Sequence, residues 1–208
     1  DVDFNIQRLG HWLSYSQGSE FSKKEWENLK VVTVPNFQNK LFVGIKYGVD
    51  GKHVAMSIAT KVDEKIFVES VDCQSVRNGN TWIISFLKEA DIEKVVIDGS
   101  GSQQILSDEI KDYGIKLKPV LPKVSDVVVA NNMFEQAVTS SKNICHNDQP
   151  SLKQIVTNCK RRAIGTNGGF GFKAMMEEHE IALLDSVILA NWACATYKGV
   201  KKKQKISC

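Results

Sequence analysis

The stretch Val95-Val96-Ile97-Asp98-Gly99-Ser100-Gly101-Ser102 decides which fold the sequence predicts. β-Branched residues lead to a single acid, small residues then form a turn, and a helical pattern begins at Gln103. This order is typical of a buried strand that carries a carboxylate to the edge of a sheet. A carboxylate in that position is costly unless it is paired or bound. Asp98 is therefore the first candidate site residue, although it could instead cap the helix that begins near Ser102.

Three strands that precede this stretch predict an antiparallel meander. They cover Leu41–Tyr47, His53–Thr60 and Lys65–Val71, and an Asp-Gly pair between the first two is a hairpin signal. A helical pattern over Thr81–Ala90 separates the meander from the strand at 94–98, which requires a crossover connection. The predicted fold is therefore α/β, with an antiparallel three-strand meander plus parallel strands in one mixed sheet flanked by helices.

The second half of the chain predicts mainly helices and one hairpin. The predicted elements are a helix over 103–113, a short strand over Ile115–Val120, helices over Asp126–Thr139 and Leu152–Cys159, hairpin arms at Arg161–Gly165 and Gly169–Lys173, and a helix over Ile181–Tyr197.

Composition favours one main domain and argues against several kinds of site. A chain of 208 residues can bury one good-sized core, and a net charge of +3 does not by itself indicate nucleic-acid binding. The five cysteines lack CxxC spacing, so neither a zinc site nor a disulfide framework is expected, and Cys194 is expected in the core. No run approaches the roughly 18 to 20 apolar residues of a membrane span, and the polar start does not suggest a signal peptide. A reducing cytosol fits these features.

Five motifs, taken in chain order, resemble the C-terminal nuclease domain of a tailed-bacteriophage (or prophage) terminase large subunit. They are Arg8–Trp12, Val43–Gly51, Val96–Gly99, Arg161–Gly165 with Gly168–Phe172, and Glu180–Ala190. The resemblance implies a ribonuclease H-like fold and a metal-dependent endonuclease that cuts concatemeric phage DNA during packaging, with Mg²⁺ or Mn²⁺ as cofactor. It also implies double-stranded DNA, the terminase small subunit and the portal as partners, no membrane, and the cytoplasm of the infected bacterial host as location.

The same resemblance sets the expected domain organisation. Terminase large subunits carry an ATPase motor before the nuclease, but this sequence has no GxxxxGK[ST] phosphate loop. Residues 1–38 are therefore expected to be a linker or docking segment, within which Ser22–Glu25 has the spacing of a helix capping box. Residues 39–198 are the expected nuclease domain. Residues 199–208 form a basic tail that serves either for solubility or for contact with phosphates.

Hydrolysis of a phosphodiester with two metal ions requires clustered acids, and the chain offers several. Asp98 and Asp185 are the principal candidate ligands, because both lie in apolar surroundings where a surface role is less natural. The alternative role of Asp185 is a charge that favours a helix N-terminus. Glu180 is either a further catalytic acid or a solvated acid at the start of the helix. His179 could assist as a metal ligand or proton shuttle, or be simply exposed.

Lys46 departs from the family pattern. Most ribonuclease H-like nucleases carry an aspartate at this position of the first strand, and a lysine ammonium cannot bind a metal. Three explanations stay open: Asp50 supplies the missing carboxylate, the site is disabled, or this branch works with fewer acids. Asp50 could equally be a plain turn residue. If Lys46 fills the space between Asp98 and Asp185 as an ion pair, metal binding there should fail.

Two alternatives to the endonuclease follow from this departure and from the fold. One is a catalytically silent nuclease-like domain that only binds DNA or docks on the packaging machinery. The other is a recombinase or integrase core, which would need strand-transfer machinery that the sequence does not display. For a nuclease or a silent DNA-binding domain, DNA contact is expected from Arg161 and Arg162, extended by Lys173, although paired arginines on a surface strand are otherwise ordinary.

Overall fold

A mixed five-stranded sheet lies at the centre of the structure, a computed structural model that describes residues 18–34, 39–165, 168–176 and 179–198. The strands are β1 (Leu41–Tyr47), β2 (His53–Val62), β3 (Lys65–Ser75), β4 (Ile92–Asp98) and β5 (Ile144–His146). Their order across the sheet is β4-β1-β2-β3-β5. The first three strands pair antiparallel, whereas β4 is parallel to β1 and β5 is parallel to β3. The predicted meander with added parallel strands is confirmed.

Helices and a separate hairpin complete the described part of the chain. The helices are α1 (Lys23–Glu27), α2 (Thr81–Glu89), α3 (Ser102–Asp112), α4 (Val124–Thr139), α5 (Pro150–Val156) and α6 (Ala182–Ala195), with a short 3-10 turn at Val76–Asn78. The hairpin consists of β6 (Cys159–Ile164) and β7 (Gly169–Ala174), which pair with each other antiparallel. None of the described helices is both long enough and apolar enough to span a bilayer.

Alternation along the strands divides the core between the two faces of the sheet. Val43 and Ile45 of β1 pack against α2 and α3, whereas Phe42 lies on the opposite face. α6 covers that opposite face and is apolar on nearly all sides, so it is buried almost throughout. At Gly44, a Cβ atom would come within under 3.0 Å of backbone atoms of α6. The lack of a side chain at Gly44 therefore allows α6 to lie directly on β1.

One predicted strand is wrong and one strand was missed. Ile115–Val120 does not form a strand: only Val120 makes an isolated parallel bridge, to Val96, with two backbone hydrogen bonds of 2.9 Å to β4. The fifth strand is β5 instead, three residues whose shortness left no alternating pattern to detect.

The segment over residues 18–34 packs against the rest of the described chain. The capping box predicted at Ser22 and Glu25 is confirmed. Trp26 is fully buried and stacks on His146 of β5 at 3.9 Å between ring centroids, and the imidazole also bonds to the Trp26 carbonyl. Burial lowers the pKa of His146 below its ordinary value, so the ring is neutral in the fold. Residues 1–17 and 35–38 of the expected linker lie outside the described residues.

The cysteines are as expected for the described residues. Cys73, Cys145, Cys159 and Cys194 are free thiols, and Cys194 is buried in the core. Cys208 and the basic tail lie outside the described residues.

Candidate functional site

The first acidic group lies at the carboxyl end of two neighbouring parallel strands. β1 and β4 are in a register that pairs Lys46 with Asp98, and both side chains lie on the face covered by α6. Lys46 Nζ donates to Asp98 Oδ2 at 2.5 Å. The side chains are only 11% and 20% exposed, so water screens this ion pair little. The helix cap proposed as an alternative role for Asp98 is wrong, because Gly101 is the N-cap of α3 and no side chain caps it.

Asp185 is brought to the same place by α6. It lies in the first turn of that helix and, with Lys46, Asp98 and Arg162, lines a cavity of about 20 Å³. Burial raises the pKa of Asp185 to about 6, and the Lys46 and Arg162 cations oppose that rise while Asp98 and Glu180 add to it. The structure thus brings Asp98 and Asp185 together, and it places Lys46 and Arg162 with them.

The Asp98–Asp185 pair, as arranged, does not fit a divalent metal. Two carboxylates already face two cations, so an added dication would leave the group with excess positive charge. The cavity has room for roughly one water molecule, not for an ion with its own water ligands. A metal can join the two carboxylates only in place of the Lys46 ammonium. Their assignment as metal ligands stays a prediction.

A second group, the turn cluster, consists of Asp50, His53 and Glu180. One ligand atom from each residue lies within 4.8 Å of the others. His53 Nδ1 lies 2.7 Å from Glu180 Oε2. Asp50 follows the end of β1, His53 opens β2, and Glu180 lies just before α6, so three separate segments meet beside Gly48.

Asp50 is both a turn residue and a member of this cluster. Its Oδ1 accepts a hydrogen bond of 2.9 Å from the backbone N–H of Lys52, as a plain turn aspartate would. The Lys52 ammonium lies 3.8 Å from Oδ2 but is largely exposed, so this ion pair is weak. Carboxylate oxygen of Asp50 therefore remains available to a ligand.

The turn cluster borders an open cleft of about 470 Å³. His179, Gln154, Ser151 and Cys73 line the same cleft. His179 Nε2 lies 2.8 Å from the Gln154 amide nitrogen, which places His179 beside the cluster and not within its 4.8 Å group. Burial, and then the charges of Glu180 and Asp72, raise the pKa of the Cys73 thiol to about 12.

Sequence reasoning missed His53. The Asp-Gly turn signal predicted the hairpin, and hairpin closure places the Gly48 N–H against the His53 carbonyl at 2.8 Å. A histidine three residues after a candidate ligand, across a predicted tight turn, was the available signal. Its partner Glu180 is distant in sequence, and only packing of α6 on the sheet brings the two together.

The basic residues predicted for DNA contact divide between two faces of the hairpin. Arg161 is ion-paired with Glu20 and Glu135 and stacks over Phe170 at 4.2 Å. Arg162 lies on the other face, where it donates to the Phe172 carbonyl at 3.0 Å and faces Asp185. Lys173 is exposed on that same face, paired across the strands with exposed Lys160. Arg161 is thus engaged within the protein, whereas Lys173 and the unpredicted Lys160 are open to solvent.

Comparison with known proteins relates this chain to others through its fold. No protein-family model matches it, and no curated protein matches either. Solved structures do match, and they include several large terminases of bacteriophages.

The similar structures share fold at low sequence identity. The large terminase of bacteriophage HK97 matches with a TM-score of 0.63 and 14% identity over 83% of this chain. The large terminase of a thermophilic bacteriophage matches with 0.55 and 17% over 83%. The large terminase nuclease of thermophilic phage G20c with bound magnesium matches with 0.59 and 14% over 84%, and that nuclease was also solved with cobalt. The described residues therefore have the ribonuclease H-like fold of terminase nucleases.

Coverage of the similar proteins is unequal. This chain spans 43% of the HK97 large terminase and 42% of the thermophilic phage's large terminase, but 96% of the G20c nuclease. The likeness therefore corresponds to the nuclease part.

Proposed function

We propose that this chain is a divalent-metal-dependent DNA endonuclease domain that cuts concatemeric phage DNA during genome packaging. The observation that carries the proposal is the convergence of five acidic or imidazole side chains at one edge of a sheet with the terminase nuclease fold. These side chains are Asp98, Asp185, Asp50, His53 and Glu180. Magnesium and cobalt in the similar G20c nuclease support a divalent cofactor, Mg²⁺ or Mn²⁺ in the first instance.

The reaction is hydrolysis of a phosphodiester. Water forms a new bond to phosphorus, one phosphorus–oxygen ester bond breaks, and a phosphate monoester and an alcohol result. A divalent ion would supply Lewis-acid chemistry in this step. The fixed Lys46 and Arg162 cations would offset charge that develops on the phosphate oxygens.

The proposal extends to substrate and partners. Double-stranded DNA is the substrate, and its backbone would contact the hairpin face that carries Arg162, Lys160 and Lys173. The terminase small subunit and the portal are the proposed partners, and the infected bacterial cytoplasm is the proposed location. The domain boundaries predicted above, with residues 39–198 as the nuclease, are proposed as they stand.

One observation favours a second candidate function. The 2.5 Å ion pair between Lys46 and Asp98 is the arrangement under which metal binding between Asp98 and Asp185 should fail. The second candidate is therefore a catalytically silent nuclease-like domain that binds DNA or docks on the packaging machinery.

Plasmid nicking separates the two functions. Supercoiled plasmid is incubated with Mn²⁺ or Mg²⁺ and with the unaltered chain, Asp98→Ala or Lys46→Asp. The endonuclease proposal expects the unaltered chain to nick DNA and Asp98→Ala to lose at least about tenfold of that rate, because Lys46 loses its partner.

The remaining outcomes of the nicking assay have assigned meanings. Nicking only by Lys46→Asp would establish the silent domain. Equal nicking by Asp98→Ala and the unaltered chain would remove Asp98 from the site. Thermal unfolding of each variant checks that lost activity is not lost folding.

A further inference from the structure

We propose that the turn cluster of Asp50, His53 and Glu180 is a preformed site for a first-row transition dication, of the Mn²⁺ or Zn²⁺ class, separate from the Asp98–Asp185 pair. Metal binding at the cluster stands on its own geometry. Only its part in DNA cleavage rests on the proposed function.

Geometry is the first argument. Three ligand atoms from three segments already lie within 4.8 Å of one another, a spread that a single ion at ordinary bond lengths of about 2.0–2.2 Å can span. Glu180 Oε2 lies 2.7 Å from His53 Nδ1, so the two groups are aimed at a common point. Nδ1 is shielded from water, yet apart from this charge contact it has no well-formed hydrogen bond. A metal would replace the proton between these atoms.

Charge is the second argument. With His53 neutral, the cluster carries two negative charges from Asp50 and Glu180, which a dication would balance. The nearest recorded cation is exposed Lys52, at 3.8 Å from Asp50. The Asp98–Asp185 pair, by contrast, faces both Lys46 and Arg162. Of the two groups, the turn cluster therefore attracts a metal more strongly.

Ligand chemistry is the third argument, and it selects the kind of ion. One imidazole nitrogen with two carboxylates suits Mn²⁺, Co²⁺ or Zn²⁺, whereas Mg²⁺ prefers oxygen ligands throughout. The open cleft of about 470 Å³ leaves room at the cluster for water ligands or for a phosphate oxygen. Such an open coordination position distinguishes a catalytic site from a closed structural one.

Manganese spin resonance tests the site on the intact chain without DNA. Mn²⁺ titration followed by electron paramagnetic resonance should show one bound ion, and spin-echo spectra should show nitrogen modulation from an imidazole. Asp50→Asn and Glu180→Gln should each weaken binding at least about tenfold. His53→Asn should also abolish the nitrogen modulation. Zn²⁺ should displace the ion at least about tenfold more effectively than Mg²⁺.

Two control variants fix the location of the bound ion. Asp108→Asn removes an exposed acid of α3, on the other side of the sheet, and should leave binding unchanged. Asp98→Asn should also retain binding. Loss of binding in Asp98→Asn with retention in Glu180→Gln would overturn the proposal, as would the absence of a bound ion.

Adding plasmid separates this inference from the proposed function. Bound Mn²⁺ with nitrogen modulation but no nicking would leave the site standing and contradict the endonuclease. Nicking that survives in a Glu180→Gln protein without bound metal at the cluster would leave the endonuclease standing and remove the site.

Discussion

At the scale of single residues, the Lys46–Asp98 pair defines the character of the acidic centre. The ammonium and carboxylate are neighbours on adjacent parallel strands and are little exposed, so each depends on the other for a partner. Removing one member leaves an uncompensated charge in a poorly hydrated place.

A double-mutant cycle measures this dependence. Lys46→Met and Asp98→Asn should each lower the free energy of unfolding by about 2–4 kcal/mol, and the double variant should lose clearly less than the sum. Urea denaturation supplies the three values. The exposed pair of Lys111 and Asp108, with Nζ 2.9 Å from Oδ1, is the matched control and should show little or no coupling. Equal coupling in both pairs would show that Lys46 is not held by Asp98.

Sequence reasoning went far at this scale but stopped at pairs that packing creates. Asp98 and Asp185 could be proposed because each is an acid within an apolar pattern. The obstacle at Lys46 was also visible, since the position follows from the predicted first strand. His53 was not, because its partner Glu180 is brought near only by the placement of α6. Arg162 and Arg161 looked equivalent, and only strand alternation separates their roles.

At the scale of elements, the contact between β1 and α6 holds the site together. β1 carries Lys46 and α6 carries Asp185, and the two elements touch at Gly44. A buried hydrogen bond of 2.6 Å between Ser57 of β2 and Ser186 of α6 adds to this contact. The position of Asp185 relative to Lys46 therefore depends on close packing of helix on strand.

Gly44→Ala tests this contact. The added Cβ would come under 3.0 Å from Ser186 O and Ala190 N, which are backbone atoms that cannot rotate away. The variant should lose about 1–3 kcal/mol or more of unfolding free energy in urea denaturation. Gly18→Ala is the matched control, because its Cβ would meet only a methionine methyl group at 3.7 Å, and it should stay within about 0.5 kcal/mol of the unaltered chain. Equal effects would mean that α6 can shift without cost.

Prediction of elements succeeded where a long pattern exists and failed where it does not. The meander, the buried strand ending at Asp98 and the long apolar helix α6 all carry sustained patterns. β5 has three residues, and it is defined by pairing with β3 and not by a pattern of its own. The run Ile115–Val120 has strand-like residues, but it meets the sheet only at Val120.

At the scale of the whole molecule, charge is divided between the two sides of the sheet. The β6–β7 hairpin carries Lys160, Arg162 and Lys173 on one face, and Arg162 on that face reaches Asp185. Lys88 of α2 and Lys111 of α3 lie with helices that cover the opposite side of the sheet. A duplex that approaches the acidic groups would therefore meet the hairpin lysines and not the helix lysines.

The salt dependence of DNA affinity tests this division. Each phosphate contact releases a counterion, so the slope of log affinity against log salt changes by about 0.9 per contact in duplex DNA. The double variant Lys160→Gln/Lys173→Gln should reduce the magnitude of that slope by about 2, measured by fluorescence anisotropy with a labelled duplex in Ca²⁺ to prevent cleavage. Lys88→Gln/Lys111→Gln removes the same net charge from the other side and should leave the slope within about 0.5 of the unaltered value. If both double variants change the slope equally, binding follows net charge alone, and the hairpin is not the DNA-binding face.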